Sequence, residues 1–272
     1  MYVKEMQIRP QTNASWIYVR LSGVPEFLRD GTVPIKIAER KSRALLAYLA
    51  VHAGAALSRD RLVELLWPDR IEGTGRASLR QALSSIRSAM GDDTSTALVV
   101  SRESVALQAD RVLTDIAELE GAGDKVSDVA YVPAEFMDGM SGISTELDLW
   151  ILRERTSLSA LCSAWFKQRA ERAETENNSS DAASYLSQAL AIDPFDEGLH
   201  RRLMTVLAAS GRSDAALRQF ETLSSTLHDD LGIKPELETA QLAQKIRAGR
   251  MLRVTMPDPS KADTAALPFP LP

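Results

Sequence analysis

Between Thr74 and Met90 the chain sets Arg76, Arg80, Ser84 and Arg87 at intervals of three and four residues, with Ala77, Gln81, Ser85 and Ser88 beside them. At about 100° per residue these two rows share the outer side of one helix, while Leu79, Leu83, Ile86 and Met90 form its buried stripe. The chemistry on offer is recognition. An Arg fork pairs with guanine O6 and N7, a Gln amide with adenine N6 and N7, and each such bidentate contact discriminates between bases by about 1–3 kcal/mol. Small Ala and Ser side chains between them let the helix come close to a second surface, and the major groove of B-DNA admits a helix of this kind. Arg80, Gln81, Ser84, Arg87 and Ser88 are therefore the candidates to meet bases or the flanking phosphates. A plain surface helix carries solvated charges in the same way, so the surroundings of the stretch decide between the two readings.

The 272 residues carry a net charge of −5, 44% hydrophobic and 25% charged residues, as expected of a folded chain with room for two domains. The charge is unevenly spread. Between Glu39 and Met90 nine basic residues stand against five acidic ones, a local excess that a phosphate backbone responds to even within an acidic chain. Catalytic chemistry finds little footing. His52, His200 and His228 are isolated, and the single cysteine, Cys162, sits in an apolar helical context that reads as core. Gly73-Thr74-Gly75 lacks the further glycines and the Lys of a phosphate-binding loop. No enzyme, metal or cofactor is expected. No apolar run reaches membrane-spanning length and no signal peptide is evident, so a cytoplasmic protein with no membrane partner is expected.

The elements that would position the row follow from the patterning. Residues 1–15 read as a loose leader. Ile17, Val19 and Leu21 alternate with Tyr18 and Arg20 as a strand, a second strand runs over Glu26–Arg29 into the turn signal Asp30-Gly31, and Val33–Ile37 follows as a third, edge strand because of Pro34. The period then becomes helical over Glu39–Ala53, with Ala44, Leu45, Tyr48, Leu49 and His52 in phase. Ser58 caps a second helix that buries Leu62, Leu65 and Leu66 and ends at Trp67-Pro68. Thr74–Met90 is the third helix, stopped by Gly91, and strands over Leu98–Val100 and Val105–Gln108 make a hairpin. A small antiparallel sheet, three helices and a β hairpin make a winged helix. Arg43, Arg59 and Arg76 stand near helix starts and suit phosphate contacts, and Arg102, on the wing, suits the minor groove or the adjacent backbone.

The runs ERKSRALLAYLAVHAG, LSRDRLVELLWPD and RASLRQALSSIRSAMG resemble the DNA-binding domain of the SARP-type bacterial transcriptional regulators, an OmpR/PhoB-like winged helix. The resemblance covers roughly Trp16–Asp110; the wing sequence SRESVAL departs from it by lacking the Gly-Tyr pair of many relatives. After Asp110 come a short amphipathic helix over Leu113–Glu120, a loop over Val132–Gly142 and a long helix over Glu146–Glu176, whose contact side is expected to carry Leu149, Leu152, Thr156, Leu158, Leu161, Trp165 and Phe166. Three further helices, Ser180–Asp193, Glu197–Ser210 and Ser213–Leu231, show tetratricopeptide-like spacing at Ala189, Leu203, Leu207, Ala216, Phe220 and Leu223. This part resembles the bacterial transcriptional activation domain that follows the winged helix in the same family.

The fold class read from the sequence is thus an α+β winged helix behind a small antiparallel sheet, then an all-α tetratricopeptide-like domain. The expected divisions are residues 1–15, 16–110, 111–250 and a Pro-rich tail over 251–272. The resemblance implies a transcriptional activator that binds double-stranded DNA at promoter repeats, forms a homodimer and contacts RNA polymerase, with the Trp67–Gly73 loop a candidate polymerase contact, and that associates with the bacterial nucleoid when bound. Two other readings stay open at this point. One is a helical-repeat adaptor whose winged helix serves as a protein contact, and the other is the regulatory N-terminal region of a larger multidomain protein.

Overall fold

The computed structural model describes residues 14–69, 74–121 and 135–249. Expectations for most of the leader, for residues 70–73 of the loop before the third helix and for the Pro-rich tail lie outside the described residues. Two compact units divide the chain, Met1–Ala160 and Leu161–Pro272.

The first unit begins with a four-stranded sheet ordered β3-β2-β1-β7. Its strands are β1 (Ile17–Arg20), β2 (Glu26–Arg29), β3 (Val33–Pro34) and β7 (Val112–Thr114). β1 and β2 pair antiparallel, with Ile17 opposite Arg29 and Val19 opposite Phe27. Alternation sends Ile17, Val19 and Phe27 inward. The three-residue loop between β2 and β3 holds Asp30 and Gly31 at φ of 51° and 73°, as the central pair of a turn that the Thr32 amide closes onto the Arg29 carbonyl at 3.0 Å. The third strand is only two residues long: the Ile35 amide still donates to the Phe27 carbonyl at 2.8 Å, and beyond it the chain leaves the ladder, although Ile35 and Ile37 are buried. β7 lies parallel to β1, a pairing across more than ninety positions that has no local sequence signature. It takes the first residues of the stretch expected to be one short helix; the helix α5 starts behind it (Asp115–Gly121). The buried Asp115 carboxylate joins the two by accepting from the Leu21 and Ser22 amides and the Ser22 hydroxyl.

The helical part follows as α1 (Arg40–Val51), α2 (Arg59–Leu66) and α3 (Thr74–Met90), with the one-turn α4 (Asp92–Ser95) after it. α1 is buried nearly all round, from Ala44 to Ala50, as befits a helix covered on several sides. Ser58 caps α2 by accepting from the Arg61 amide. The hairpin is β5 (Leu98–Val100) and β6 (Ser104–Leu107), and a two-residue strand β4 (Leu57–Ser58) adds to it in the order β4-β6-β5. Leu98, Val105 and Leu107 face inward while Val99 faces out.

Residues 135–144 are irregular yet central. Phe136, Met137 and Met140 are fully buried, and the backbone of Met137 and Asp138 donates to the carbonyls of Leu21 and Gly23 just past β1. The helix α6 (Thr145–Thr175) then brings Trp150 edge-on to both Tyr48 and Phe136, at ring separations of 4.7 and 5.7 Å. The contact side expected for α6 is corrected here. Leu149, Leu152 and Leu161 are 42, 60 and 37% exposed, and the inward positions are Leu147, Trp150, Ile151, Leu158, Cys162, Phe166, Ala170 and Ala173. Leucines occur on both sides of this helix, so their positions alone do not mark the buried one; small side chains and Trp150 occupy it instead.

The second unit consists of the rest of α6 with α7 (Ser179–Ile192), α8 (Glu197–Ala209), α9 (Ser213–Leu231) and α10 (Leu237–Arg247). Asn178 and Asp196 cap α7 and α8 through the amides of Asp181 and Leu199. Gly232, left-handed at φ 67°, ends α9. Ala182, Ala189 and Ala216 are fully buried, which lets neighbouring helices approach, and Leu186, Leu203 and Leu223 fill between them. α10 is a fourth helix of this region where three were expected; Pro235 separates it from α9.

Candidate nucleic-acid interface

α3 has the bounds expected of it, and its buried stripe is Leu79, Ala82, Leu83, Ile86 and Met90. Opposite that stripe Arg76, Arg80, Gln81, Ser84, Arg87 and Ser88 are all exposed. The structure divides them by what holds them. Arg80, Gln81 and Ser84, along the middle of the helix, and Ser88 in its last turn have no side-chain partner among the described residues. Arg76, at the N-terminal end, forks onto Asp60 of α2 with N–O distances of 2.7–2.9 Å. Arg87, at the C-terminal end, donates through Nη2 to the Leu98 carbonyl of β5 at 3.3 Å.

The remaining candidates also separate. Arg59, half-buried at the start of α2, donates from Nη1 to the Ser101 carbonyl at 2.8 Å and so ties α2 to the turn of the wing. Its other N–H donors stay available. Arg102 is exposed at that turn, which Ser101 closes by accepting from the Ser104 amide at 2.9 Å. Arg43 is half-buried on α1, and its Nε has no hydrogen-bond partner among the described residues. The expectation that Arg76 serves phosphate alone thus meets a competing carboxylate. Both members of the Arg76–Asp60 pair are exposed, 62 and 65%, so the attraction is weak and leaves the Arg accessible.

Sequence patterning missed the side chains that set the frame. Lys41 of α1 donates to the Leu66 carbonyl at the end of α2 at 2.6 Å and lies over the Trp67 ring, and the Ser144 hydroxyl donates to the Leu65 carbonyl beside it. Lys41 stands in the first turn of its own helix, so its place in the sequence does not mark the helix end that it caps; that follows only from which helix lies next to it. Among the described residues no group of three or more His, Cys, Asp or Glu is placed to hold a metal ion. Cys162 is buried and its thiol is pushed up to about 11 by that burial, which keeps it protonated and unreactive near neutrality. No helix of the described residues is long and apolar enough to cross a membrane.

A winged helix with an open row on its third helix defines the class of protein as transcriptional regulatory. Residues 36–105 match the family described as transcriptional regulatory protein, C terminal, and residues 134–247 match the bacterial transcriptional activator domain. The chain is 25% identical over 248 residues to the regulatory protein AfsR of Streptomyces griseus, across 85% of this chain and 25% of that protein. It is 25% identical over 243 residues to the transcriptional regulatory protein EmbR of Mycobacterium tuberculosis, across 83% of this chain and 62% of EmbR. The transcriptional regulatory protein MoaR1 of the same organism is 24% identical over 86% of this chain and 80% of its own length. A solved structure of M. tuberculosis EmbR, in complex with a low-affinity phosphopeptide, shares the fold at a TM-score of 0.59 and 20% identity, covering 86% of this chain and 66% of that one. The chain thus joins a stretch that matches the transcriptional regulatory protein C-terminal family to one that matches the bacterial transcriptional activator domain, in the order that the resemblance to the SARP-type regulators implies. It spans about a quarter of AfsR and less than two thirds of EmbR.

Proposed function

We propose that this chain is a sequence-specific DNA-binding transcriptional activator. α3 enters the major groove of promoter repeats, where Arg80, Gln81, Ser84, Arg87 and Ser88 meet base edges and the phosphates beside them. Arg43, Arg59 and Arg76 contact phosphate, giving affinity and salt dependence, and Arg102 reaches the minor groove or adjacent backbone from the wing. Residues 16–110 carry the recognition. The helical residues 111–250 bring a second copy to the neighbouring repeat and contact RNA polymerase, their first part up to Ala160 also completing the core beneath the winged helix. The protein works in the bacterial cytoplasm, at the nucleoid when bound.

The observation that carries this reading is the row Arg80, Gln81, Ser84 and Ser88. It is exposed and, among the described residues, unpartnered, on a helix tied at one end to α2 through Arg76–Asp60 and at the other to β5 through Arg87. The test is binding of the purified chain to the DNA upstream of its own reading frame across a salt series. With Arg80→Ala and Arg87→Ala together, cognate affinity is expected to fall about a hundredfold, on the scale of two lost base or phosphate contacts. The slope of log affinity against log salt is expected to become shallower. Unchanged affinity and slope would overturn the assignment of α3.

A further inference from the structure

The C-terminal end of α3 is held by side chains of the N-terminal sheet. Arg29, the last residue of β2, donates from Nη2 to the carbonyl of Met90, the last residue of α3, at 2.6 Å. Arg111, 8% exposed and just ahead of β7, donates from Nη2 to the Asp93 carbonyl at 3.1 Å and from Nε to the Ser15 carbonyl at 2.7 Å. Arg29 thus stands at the negative end of α3, whose last carbonyls lack intrahelical donors, while Arg111 holds the short helix α4 that follows it. Gly91 belongs to the same fitting. Its φ of 77° is one that residues with a Cβ rarely adopt, and a Cβ there would come within 2.9 Å of Arg29 Nη2. Met90 itself is fully buried, so the end of α3 is gripped by its side chain and by its carbonyl at once.

We infer that Arg29 is a positioning residue for DNA recognition: it touches no DNA, and it sets the angle at which α3 presents Arg80, Gln81 and Ser84 to the groove. The inference rests on the DNA-binding reading above. It gives the N-terminal sheet a purpose, because the sheet is the anchor against which the far end of the recognition helix is fixed. Arg87 ties the same turn to β5. Bidentate base contacts tolerate little displacement, so a helix released at one end loses discrimination before it loses attraction to phosphate.

The test compares the wild-type chain with Arg29→Ala and Arg29→Lys, using a duplex that the wild-type protein selects from a random-sequence pool and a scrambled duplex of the same composition. For Arg29→Ala the ratio of selected to scrambled affinity is expected to drop about tenfold. The salt slope on the scrambled duplex should be unchanged, because no phosphate contact is removed. Arg29→Lys, which keeps one donor at the Met90 carbonyl, should recover part of the ratio. Circular dichroism melting of both variants separates this from loss of fold, since a merely destabilised protein binds both duplexes less and keeps the ratio. A retained ratio in Arg29→Ala overturns the positioning role, and a salt slope reduced by about one phosphate replaces it with a direct contact. If the wild-type chain selects no duplex at all, the DNA-binding reading fails and the positioning role falls with it.

Discussion

In the unit that ends at Ala160, Arg29, Arg40, Arg59, Arg87, Arg111 and Arg155 all donate to main-chain carbonyls. In the unit that follows, Lys167, Arg201 and Arg202 are held by the carboxylates of Asp196, Glu236 and Glu174. The two arrangements use the same side chains to different effect. A guanidinium on a carbonyl is fixed in space and keeps its full charge, so the potential it projects reaches solvent; one on a carboxylate is fixed and neutralised. The winged-helix unit therefore holds its framework together without cancelling the positive charge that attracts a phosphate backbone. The helical unit cancels charge while fastening α6 to α8 and α8 to the start of α10. Arg76–Asp60 and Arg20–Glu26 in the first unit, and Arg212 on Ser210 and Ser179 in the second, run against the pattern. They mark where it can be tested for generality.

The largest expected effect comes from removing what supports the first unit. Trp150 is 9% exposed against Tyr48 and Phe136, and replacing it with Ala is expected to cost about 3–5 kcal/mol, the range for a large buried aromatic side chain. The loss should fall on the unit through Ala160, seen as faster hydrogen exchange in α1 and β1 with α8 and α9 still protected. If exchange rises equally in both units, or in neither, the two regions do not divide as the comparison requires.

A matched pair of substitutions sharpens the charge argument at an intermediate scale. Arg59→Gln retains an N–H donor for the Ser101 carbonyl and removes the charge, so stability should hold while the salt slope of DNA binding falls by about 0.9. Arg202→Gln in the other unit should do the reverse. It strands Glu174 and lowers stability by up to about 1 kcal/mol, an effect that salt screens, and leaves the slope of DNA binding alone. Urea unfolding and a fluorescence-anisotropy salt titration on both proteins measure the two quantities. Equal effects of the two substitutions on either quantity would remove the distinction between carbonyl-held and carboxylate-held arginines.

How much of this was readable beforehand depends on the range of the interaction. The bounds of α3, the Ser58 cap and the Asp30-Gly31 turn are set by neighbours a few residues away, and the sequence shows them. The open row Arg80, Gln81, Ser84 and Ser88 is likewise a matter of helical phase. β7 and β4 are too short to carry a period, and their partners, β1 and β6, lie far along the chain. The loop with Phe136, Met137 and Met140 has no period at all, although it supplies three fully buried side chains. α6 misled for a related reason. It serves the core of one unit and then of the other, so no single stripe runs its length, and Leu149 and Leu152 stood out where Trp150 and Ile151 are the buried pair. The ties on Arg29, Arg59 and Arg87 are side chain to distant carbonyl, which no pattern of residue types encodes.

The smallest expected effect concerns His200, the one buried imidazole of the helical unit among the described residues, and it probes whether neutral hydrogen bonding supplements ion pairing there. Its Nδ1 lies 2.8 Å from Gln219 Nε2 and its Nε2 lies 3.1 Å from the Pro194 carbonyl, so the neutral ring accepts from Gln219 and donates to Pro194. Burial holds the ring below its ordinary 6.5, against the hydrogen bond to Pro194 and the attraction of Asp196, Glu197 and Asp193, which act to raise it. A depressed value in the folded state means that the unfolded chain takes up the proton first. The contribution of His200 is then fully present above about pH 6.5 and is lost as the pH falls from there through the lowered folded value. Thermal melting of the helical unit, followed by exchange in α8 and α9, should therefore weaken between about pH 7.5 and about pH 5.5. His200→Gln, which cannot titrate and keeps a donor for the Pro194 carbonyl, should flatten that part of the profile. The same decline in both proteins would assign the acid sensitivity to the carboxylate pairs instead, and leave α8 held by its charges alone.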